Sequence, residues 1–247
     1  MARKIKLAVF DIDGTIFRSS LLIELFNAFI ERRIFPRHAR DEIKPVYLNW
    51  LDRKGGYGKY ILKTVLVYLK YIKGLKKSQV DAVTKHVVKN HKDRVYRYTR
   101  DLIKQLKRRH YRLIAISGSP DYIVSRFGHY LGFDVSLGTR YEIRDNIFTG
   151  RRFDGKKFDF GHDVPAKDVT FQEYISHSEI QFDLKNSIAV GDTEGDIPLL
   201  EMVGQPIAFN PNSKLAIMAQ KKGWQIVVER KDVVYDASQS KLIRLDQ

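Results

Sequence analysis

Short apolar runs that end in turn-forming residues recur along the chain. They span residues 5–11, 112–119, 186–192, 205–211 and 224–228. Runs of this length without polar alternation are typical of strands buried on both faces. Because helical patterns lie between the runs, the order of the segments predicts a parallel β-sheet with helices on both of its faces.

Between the first two of these strands, the apolar residues recur at helical spacing instead. The positions are Leu21, Leu22, Leu25, Phe26, Phe29 and Ile30, then Val80, Val83 and Val87, then Leu102, Ile103 and Leu106. Breaks in the pattern fall near Pro36 and at residues 53–59 and 73–78. The segment predicts a small helical bundle inserted after the first strand.

The change of period predicts an α/β protein with two domains. The core is a Rossmann-like, doubly wound parallel sheet formed by residues 1–16 and 110–247, and the helical-bundle cap is formed by residues 17–109. Within the second part of the core, residues 141–150 predict a β-hairpin that closes on residues 145–146, Asp-Asn.

The positive charge of the chain is concentrated in the insert. From Phe17 to Arg112 there are 25 Lys and Arg against 8 Asp and Glu, whereas the rest of the chain has 19 against 21. A basic surface of this kind attracts an anionic membrane surface, nucleic acid or a phosphate-bearing substrate. The alternative is a helical face that lysines keep solvated without any specific partner.

Composition excludes several classes of site and suggests a compartment. The chain has no cysteine, so disulfides, thiolate metal sites and a cysteine nucleophile are excluded. No apolar run reaches the length of about 18 residues that a spanning helix needs, and the first residues do not resemble a signal peptide. We therefore expect a cytoplasmic protein without a transmembrane segment.

Two aspartates follow the first strand in the sequence KLAVFDIDGTIF, residues 6–17. Since successive side chains of a strand alternate, Asp11 and Asp13 are predicted to share a face at the carboxyl end of the strand, where open α/β sheets bind ligands. Adjacent carboxylates repel each other unless a divalent cation or a shared proton relieves the repulsion. Mg²⁺, which prefers oxygen ligands, is the expected cation. A solvated turn would also explain the pair on its own.

A second acidic pair follows a later strand. The sequence GDTEGD, residues 191–196, carries Asp192 and Asp196 four positions apart. Because the carboxyl ends of parallel strands meet at one edge of the sheet, we expect these carboxylates near the first pair.

Two further features predict a site for an anion at the same edge. In SGSPD, residues 117–121, Ser119 is predicted to cap a helix that starts at Pro120 and leaves free N–H groups. Lys167 begins another helical stretch and could supply a cation. Capping serines and solvated lysines are common for structural reasons, but their order after successive strands favours a phosphate site.

These residues resemble the signatures of the haloacid dehalogenase-like superfamily of phosphotransferases with an aspartate nucleophile. DIDGT is similar to the first motif, SGS to the second, Lys167 to the third and GDTEGD to the fourth. The likeness spans nearly the whole chain. The helical insert after the first motif resembles the cap of the phosphoserine-phosphatase-like branch.

The resemblance implies roles for the acidic residues. Asp11 would attack phosphorus to form an aspartyl-phosphate, and Asp13 would protonate the leaving oxygen and later accept a proton from water. Mg²⁺ would be held by the carboxylate of Asp11, the backbone carbonyl of Asp13 and Asp192.

It also implies a set of phosphate-binding groups. Ser117, the Gly118 N–H and Lys167 would bind the phosphoryl oxygens. Asp196 would contact Lys167 or a metal-bound water and so orient it. Residues 156–157, both lysines in a glycine-containing loop, are rivals for the part of Lys167.

Departures from the family pattern bear on the substrate. Phosphoserine phosphatases carry a glutamate shortly after the first motif to bind the substrate amine, whereas FRSSLL here offers Ser19 and Ser20, and Gly195 replaces an asparagine in the last motif. The insert also places tyrosines among lysines, at Tyr57, Tyr60, Tyr68 and Tyr71. They suit a ligand with an apolar tail or more negative charge, although packing of the bundle core and its rim is the simpler explanation.

The sequence thus predicts a Mg²⁺-dependent phosphomonoesterase, with a lipid or another anionic phosphate as substrate. A phosphatase of phosphoserine or another small metabolite is the alternative within the same chemistry. A protein that binds RNA or an anionic membrane through its basic cap, without catalysis, is the alternative from another class.

Overall fold

The structure, a computed structural model, describes residues 4–153 and 167–240. The described strands are β1 (Leu7–Asp11), β2 (Arg112–Pro120), β3 (Val135–Thr139), β4 (Tyr141–Arg144), β5 (Ile147–Arg152), β6 (Ile188–Gly191), β7 (Gln205–Phe209), β8 (Gln225–Arg230) and β9 (Val233–Asp236). The described helices are α1 (Leu21–Glu31), α2 (Lys44–Leu51), α3 (Tyr57–Ile72), α4 (Lys77–His91), α5 (Arg97–Arg108), α6 (Asp121–Leu131), α7 (Lys167–Ser176), α8 (Ile197–Glu201) and α9 (Ser213–Lys222).

Seven of these strands form one sheet in the order β3-β2-β1-β6-β7-β8-β9. All neighbours in it run parallel except β8 and β9, which are antiparallel. The chain extends the sheet from β1 to β2 and β3, then returns to the other side of β1 with β6. The carboxyl end of β1 is therefore the switch point at which such sheets open a ligand crevice. The predicted fold class is confirmed.

Alternate residues of β1 face the two layers of helices. Leu7 and Val9 belong to an apolar cluster with residues of α7, α8 and α9, whereas Ala8 and Phe10 belong to a cluster with residues of the insert. Asp11 follows the alternation of Leu7 and Val9, and this places its side chain on the side of α7. The strand therefore buries an apolar residue at every position but its last.

The insert is a bundle of helices α1 to α5 that shares one apolar core with the sheet. Phe10 of β1, Leu22 of α1, Tyr68 of α3 and Phe127 of α6 all belong to the same buried cluster. Because this core is continuous, most of the insert is fixed to the sheet by close packing. Within the described residues, no helix combines the length and the apolar character that crossing a bilayer requires.

The predicted hairpin forms, but it lies against the insert. Asp145 and Asn146 have φ of 49° and 62°, the left-handed conformation that a tight hairpin turn needs. Gly74, which follows α3, donates its N–H to the carbonyl of Phe148 at 2.8 Å, and the Phe148 N–H donates to the carbonyl of Leu75 at 2.9 Å. These hydrogen bonds join the hairpin to the insert, and the two together form one continuous surface beside the edge of the sheet.

Candidate active site

Three carboxylates meet at the carboxyl edge of the sheet. Asp11 is the last residue of β1, Asp192 directly follows β6, and Asp196 ends the short 3-10 turn that comes next. One carboxylate oxygen from each lies within 4.8 Å of the others. The structure thus brings together acids from the two strands at the switch point.

Lys167 lies between two of these acids. Its Nζ is 2.5 Å from Oδ1 of Asp11 and 2.6 Å from Oδ1 of Asp196. As the first residue of α7, it reaches over the end of β1 from the helical layer on that face. The rival lysines at residues 156–157 lie outside the described residues.

Burial and crowding of like charges shift the titration of this cluster. Burial raises the pKa of Asp11 to about 7, with Lys167 opposing this and Asp196 adding to it. Burial and the carboxylates of Asp11 and Asp196 likewise hold the pKa of Asp192 well above its usual range. Burial alone would lower the pKa of Lys167, but its two carboxylate partners outweigh that effect and raise it.

Asp196 organises the loop after β6. Its Oδ2 accepts hydrogen bonds from the backbone N–H groups of Asp192 and Thr193, both at 3.0 Å, while its Oδ1 accepts from Lys167. Gly191 leaves room for this arrangement, because a Cβ there would lie 2.5 Å from Cβ of Asp196. The side chain of Asp196 is therefore fully engaged and orients both Lys167 and Asp192.

Gly14 holds the first loop against Asp192. Its φ is +88°, and a Cβ at this position would lie 2.1 Å from Oδ2 of Asp192. Only glycine combines this backbone conformation with so close an approach.

The carboxylate of Asp13 is held by two serines and one backbone N–H. Its Oδ2 accepts from Ser117 Oγ at 2.7 Å and from Ser119 Oγ at 2.6 Å, and its Oδ1 accepts from the backbone N–H of Leu21 at 2.6 Å. Asp13 lies beyond β1 in a turn that Phe17 N–H closes by donating to the carbonyl of Ile12 at 2.8 Å. The two aspartates of the first motif therefore occupy separate environments.

The prediction that Ser119 caps a helix is wrong. Helix α6 begins at Asp121, its N-cap is Pro120, and no side chain caps it. Ser119 instead accepts the N–H of Leu22 at 3.1 Å and donates to Asp13. Sequence reasoning missed this link, although the spacing of Ser-Gly-Ser after a strand places both serines on one face.

Gly118 lies between the two serines at the end of β2. Its carbonyl accepts a hydrogen bond from Oγ1 of Thr139 at 2.8 Å. This contact fixes the peptide next to Ser117, whose side chain is 5% exposed at the rim of the acidic cluster.

The cluster has the composition of a site for a hard divalent cation. Oδ2 of Asp11 is buried and has no hydrogen-bond partner in the described part of the chain. Three carboxylates face the single ammonium of Lys167, so ionised acids would leave an excess of negative charge. Oxygen ligands in this number fit Mg²⁺, and the described residues could therefore hold the ion.

A cavity of about 620 Å³ lies elsewhere on the core. Its lining includes Ile188, Gln205 and Gln225, which stand at the amino ends of β6, β7 and β8. It contains none of the carboxylates described above. Since the buried carboxylates of Asp11 and Asp192, whose pKa values are raised, lie at the opposite edge, we assign the chemistry to that edge.

The sequence of this chain is similar to those of known proteins. The haloacid dehalogenase-like hydrolase family matches residues 8–201. A putative hydrolase of Mycobacterium leprae is 25% identical over 230 residues, which are 89% of this chain and 71% of that protein. Phosphoserine phosphatase of Methanocaldococcus jannaschii is 24% identical over 235 residues, 94% of this chain and 96% of that protein.

A solved structure shows the same fold. It is a phospho-aspartyl intermediate analogue of phosphoserine phosphatase, with a TM-score of 0.58, 24% identity and coverage of 93% of this chain and 96% of that one. The family match spans both acidic motifs, and one of the two relatives, that of Methanocaldococcus jannaschii, is named as a phosphoserine phosphatase, the branch that the sequence motifs predicted. The chain belongs to the haloacid dehalogenase-like hydrolases.

Proposed function

We propose that the chain is a Mg²⁺-dependent phosphomonoesterase in which Asp11 is the nucleophile. The observation that carries this proposal is the state of the Asp11 carboxylate at the switch point of the sheet. One of its oxygens is held by Lys167 at 2.5 Å, while the other is buried without a partner. A carboxylate that is fixed but not fully bonded is suited to attack an electrophile.

The first step transfers the phosphoryl group to the protein. An oxygen of Asp11 forms a bond to phosphorus as the bond between phosphorus and the leaving oxygen breaks, giving an aspartyl-phosphate and an alcohol. In the second step a water oxygen attacks phosphorus, the bond to Asp11 breaks, and inorganic phosphate leaves.

Asp13 is proposed to move the protons of both steps. As a carboxylic acid it donates its proton to the leaving oxygen, and as a carboxylate it accepts one from the attacking water. Ser117 and Ser119 suit either state, because a hydroxyl can donate to a carboxylate or accept from a carboxylic acid.

The remaining site residues would neutralise and orient the phosphoryl group. Bound Mg²⁺ would offset the charge of the phosphate dianion, held by the carboxylates of Asp11 and Asp192 and the backbone carbonyl of Asp13. Lys167, Ser117 and the Gly118 N–H would bind phosphoryl oxygens.

Asp196 would keep Lys167 in place. We propose that residues 17–109 act as the cap over this site.

The relatives support a small phosphomonoester as substrate. A protein of similar length and fold is a phosphoserine phosphatase, which makes phosphoserine or another metabolite phosphate one candidate. A lipid phosphate or another anionic phosphate is the other candidate, supported by the basic and aromatic insert. We do not extend the proposal to binding of RNA or membranes, because the comparisons give such contacts no support.

The proposal is tested by Mg²⁺-dependent hydrolysis of 4-nitrophenyl phosphate. Asp11→Asn should lower kcat/KM by roughly 10³-fold or more and leave the fold intact by circular dichroism. Asp232→Asn, on the exposed turn before β9, is the matched control and should be as active as the wild type. Full activity of Asp11→Asn, or activity that persists in excess chelator, would overturn the proposal.

A further inference from the structure

Helix α2 differs from the other helices of the insert because none of its residues is buried. The only helix with which α2 makes extensive contacts in the described residues is α3. Its large apolar side chains are therefore open to solvent, with exposed fractions of 38% for Tyr47, 43% for Leu48 and 50% for Leu51. Solvent exposure of so much apolar surface on one short helix indicates that something binds there.

The aromatic residues of α2 and of the first turn of α3 form one cluster. We call Tyr47, Trp50, Tyr57 and Tyr60 the lid cluster. The rings of Trp50 and Tyr60 are stacked with centroids 5.5 Å apart and 12° between planes. Tyr57 lies 5.2 Å from Trp50, and Tyr47 lies 5.2 Å from Tyr60. The cluster is a continuous aromatic surface that is only partly covered.

The lid cluster is connected to the acidic site through α1. Helix α3 packs on α1, whose first N–H, that of Leu21, donates to the carboxylate of Asp13. Tyr60 is close enough to Glu24 in the first turn of α1 for that carboxylate, added to burial, to raise its pKa. The chain of contacts from Asp13 to α1 to α3 thus places the lid cluster beside the nucleophile loop.

Tyr57 is the first residue of α3, the helix that packs on α1. Burial raises its pKa, and the charges of Asp13 and Asp192 raise it further, although 38% of the residue is exposed. A phosphomonoester bound at Asp11 would place its leaving group beside this ring.

The first turns of the described helices around the lid cluster offer no free partner for an ammonium group. Among the first turns of α1, α2 and α3, the only acid is Glu24. Its carboxylate accepts a hydrogen bond from Ser19 at 2.8 Å and lies 3.5 Å from Nδ1 of His91. Glu24 is thus already engaged, and no other acid of these turns would compensate the positive charge of an amino-acid leaving group.

We infer that the lid cluster binds the leaving group and selects phosphomonoesters of uncharged, apolar alcohols, whether aromatic or alkyl. This inference rests on the proposed phosphatase function. Trp50 and Tyr57 are the residues that determine specificity, because they border the site and remain partly uncovered.

The test compares four esters of primary alcohols, whose leaving groups have similar intrinsic reactivity. Benzyl phosphate and octyl phosphate are apolar, while glycerol phosphate and phosphoserine are polar. The wild type should show a kcat/KM for benzyl or octyl phosphate roughly tenfold above that for phosphoserine. A higher kcat/KM for benzyl phosphate than for octyl phosphate would indicate a substrate with an aromatic leaving group. A higher kcat/KM for octyl phosphate would indicate a substrate with an alkyl leaving group.

Variants locate the effect in the lid cluster. Tyr57→Ala and Trp50→Ala should each lower kcat/KM for the preferred ester by roughly tenfold, mainly through KM, and change that for glycerol phosphate by less than about twofold. Tyr235→Ala, at a more exposed tyrosine on β9, is the control and should change neither. Tyr57 is exposed, whereas Trp50 is partly buried against the core, and circular dichroism should show an intact fold for both variants.

Binding gives a readout that does not depend on turnover. Trp50 and Trp224 are the two tryptophans of the chain, so Trp224→Phe leaves Trp50 as the sole reporter. In the Asp11→Asn background, benzyl or octyl phosphate should change the Trp50 emission at concentrations where phosphoserine does not.

The outcomes separate the two proposals. Failure of the wild type to hydrolyse any phosphomonoester would overturn the proposed function and this inference with it. Hydrolysis with equal preference for phosphoserine, or selectivity that survives both lid substitutions, would overturn this inference alone.

Discussion

Nζ of Lys167 lies 2.5 Å from Oδ1 of Asp11, although 156 positions separate the two residues. The helix α7 and the strand β1 belong to distant parts of the chain, and the fold joins them at the switch point of the sheet. Lys167 holds Asp11 and Asp196 at once, which makes it the centre of the charged cluster. The first prediction follows from this position.

Replacing Lys167 by methionine should damage both activity and stability. The change leaves buried carboxylates without their cation, and we expect a loss of roughly 3 kcal/mol in the free energy of unfolding at neutral pH. Loss of the proposed phosphate-binding cation should also lower kcat/KM by at least roughly 10²-fold. Lys185→Met, at an exposed position, serves as the control in denaturant unfolding and in the phosphatase assay. Wild-type behaviour of Lys167→Met would show that the cluster does not need this ammonium.

Gly14 and Gly74 form a matched pair for testing the close approach of the first loop. Their φ angles are +88° and +87°, but a Cβ at Gly74 would meet nothing within 4 Å, whereas one at Gly14 would collide with Asp192. Gly74→Ala should cost about 1 kcal/mol of stability from backbone conformation alone, with activity unchanged. Gly14→Ala should cost more and abolish Mg²⁺-dependent activity, and equal effects of the two substitutions would argue against the contact.

Ser119 is predicted to link the insert to the catalytic loop. Ser119→Ala removes the acceptor for the buried N–H of Leu22 and one donor to Asp13, so the free energy of unfolding should fall by about 1–3 kcal/mol. Activity should fall as well, because Asp13 is no longer held on that side. Ser176→Ala, exposed on α7, should change neither quantity. A stable and fully active Ser119→Ala variant would contradict the link.

Mg²⁺ should stabilise the protein more strongly at high pH than at low pH. The pKa of Asp11 is raised to about 7, so below that value a proton occupies the carboxyl group that the ion needs. The raised pKa also means that Asp11 stabilises the metal-free fold at low pH and that this contribution is lost as the pH rises through about 7.

The measurement is the shift of the thermal midpoint on adding Mg²⁺ at about pH 5.5 and about pH 8. The shift should be larger at the higher pH, and Asp11→Asn should remove most of this difference. A shift that is independent of pH in the wild type would contradict the assignment of Asp11 as a ligand.

The sequence predicted the strands of the sheet that contain a run of buried apolar residues and missed those that do not. The runs of β1, β2 and β6 are almost fully buried, while β7 and β8 are buried over two or three consecutive residues each, so apolar composition identifies all five strands. Strand β3 is half-buried at most positions, and β9 is an exposed edge strand. Neither of these two strands forms an apolar run that can be distinguished from the neighbouring sequence.

The candidate site was predictable to the extent that its residues follow strands. Asp11 and Asp192 end neighbouring strands, and their proximity follows from parallel topology alone. The partner of Ser119 could not be predicted in the same way, because 106 positions separate it from Asp13. The helical pattern of α3 likewise does not reveal that Tyr57 and Tyr60 contact Trp50, because Trp50 belongs to another helix.

The central claim is that Asp11 forms an aspartyl-phosphate, and borohydride trapping tests it most directly. Borohydride reduces an acyl phosphate to an alcohol, so the phosphorylated aspartate becomes homoserine, which tandem mass spectrometry of the tryptic peptide of residues 7–18 can locate. We predict homoserine at Asp11 only when both substrate and Mg²⁺ are present. Homoserine at Asp13, or an unmodified peptide from enzyme that is turning over, would contradict the account.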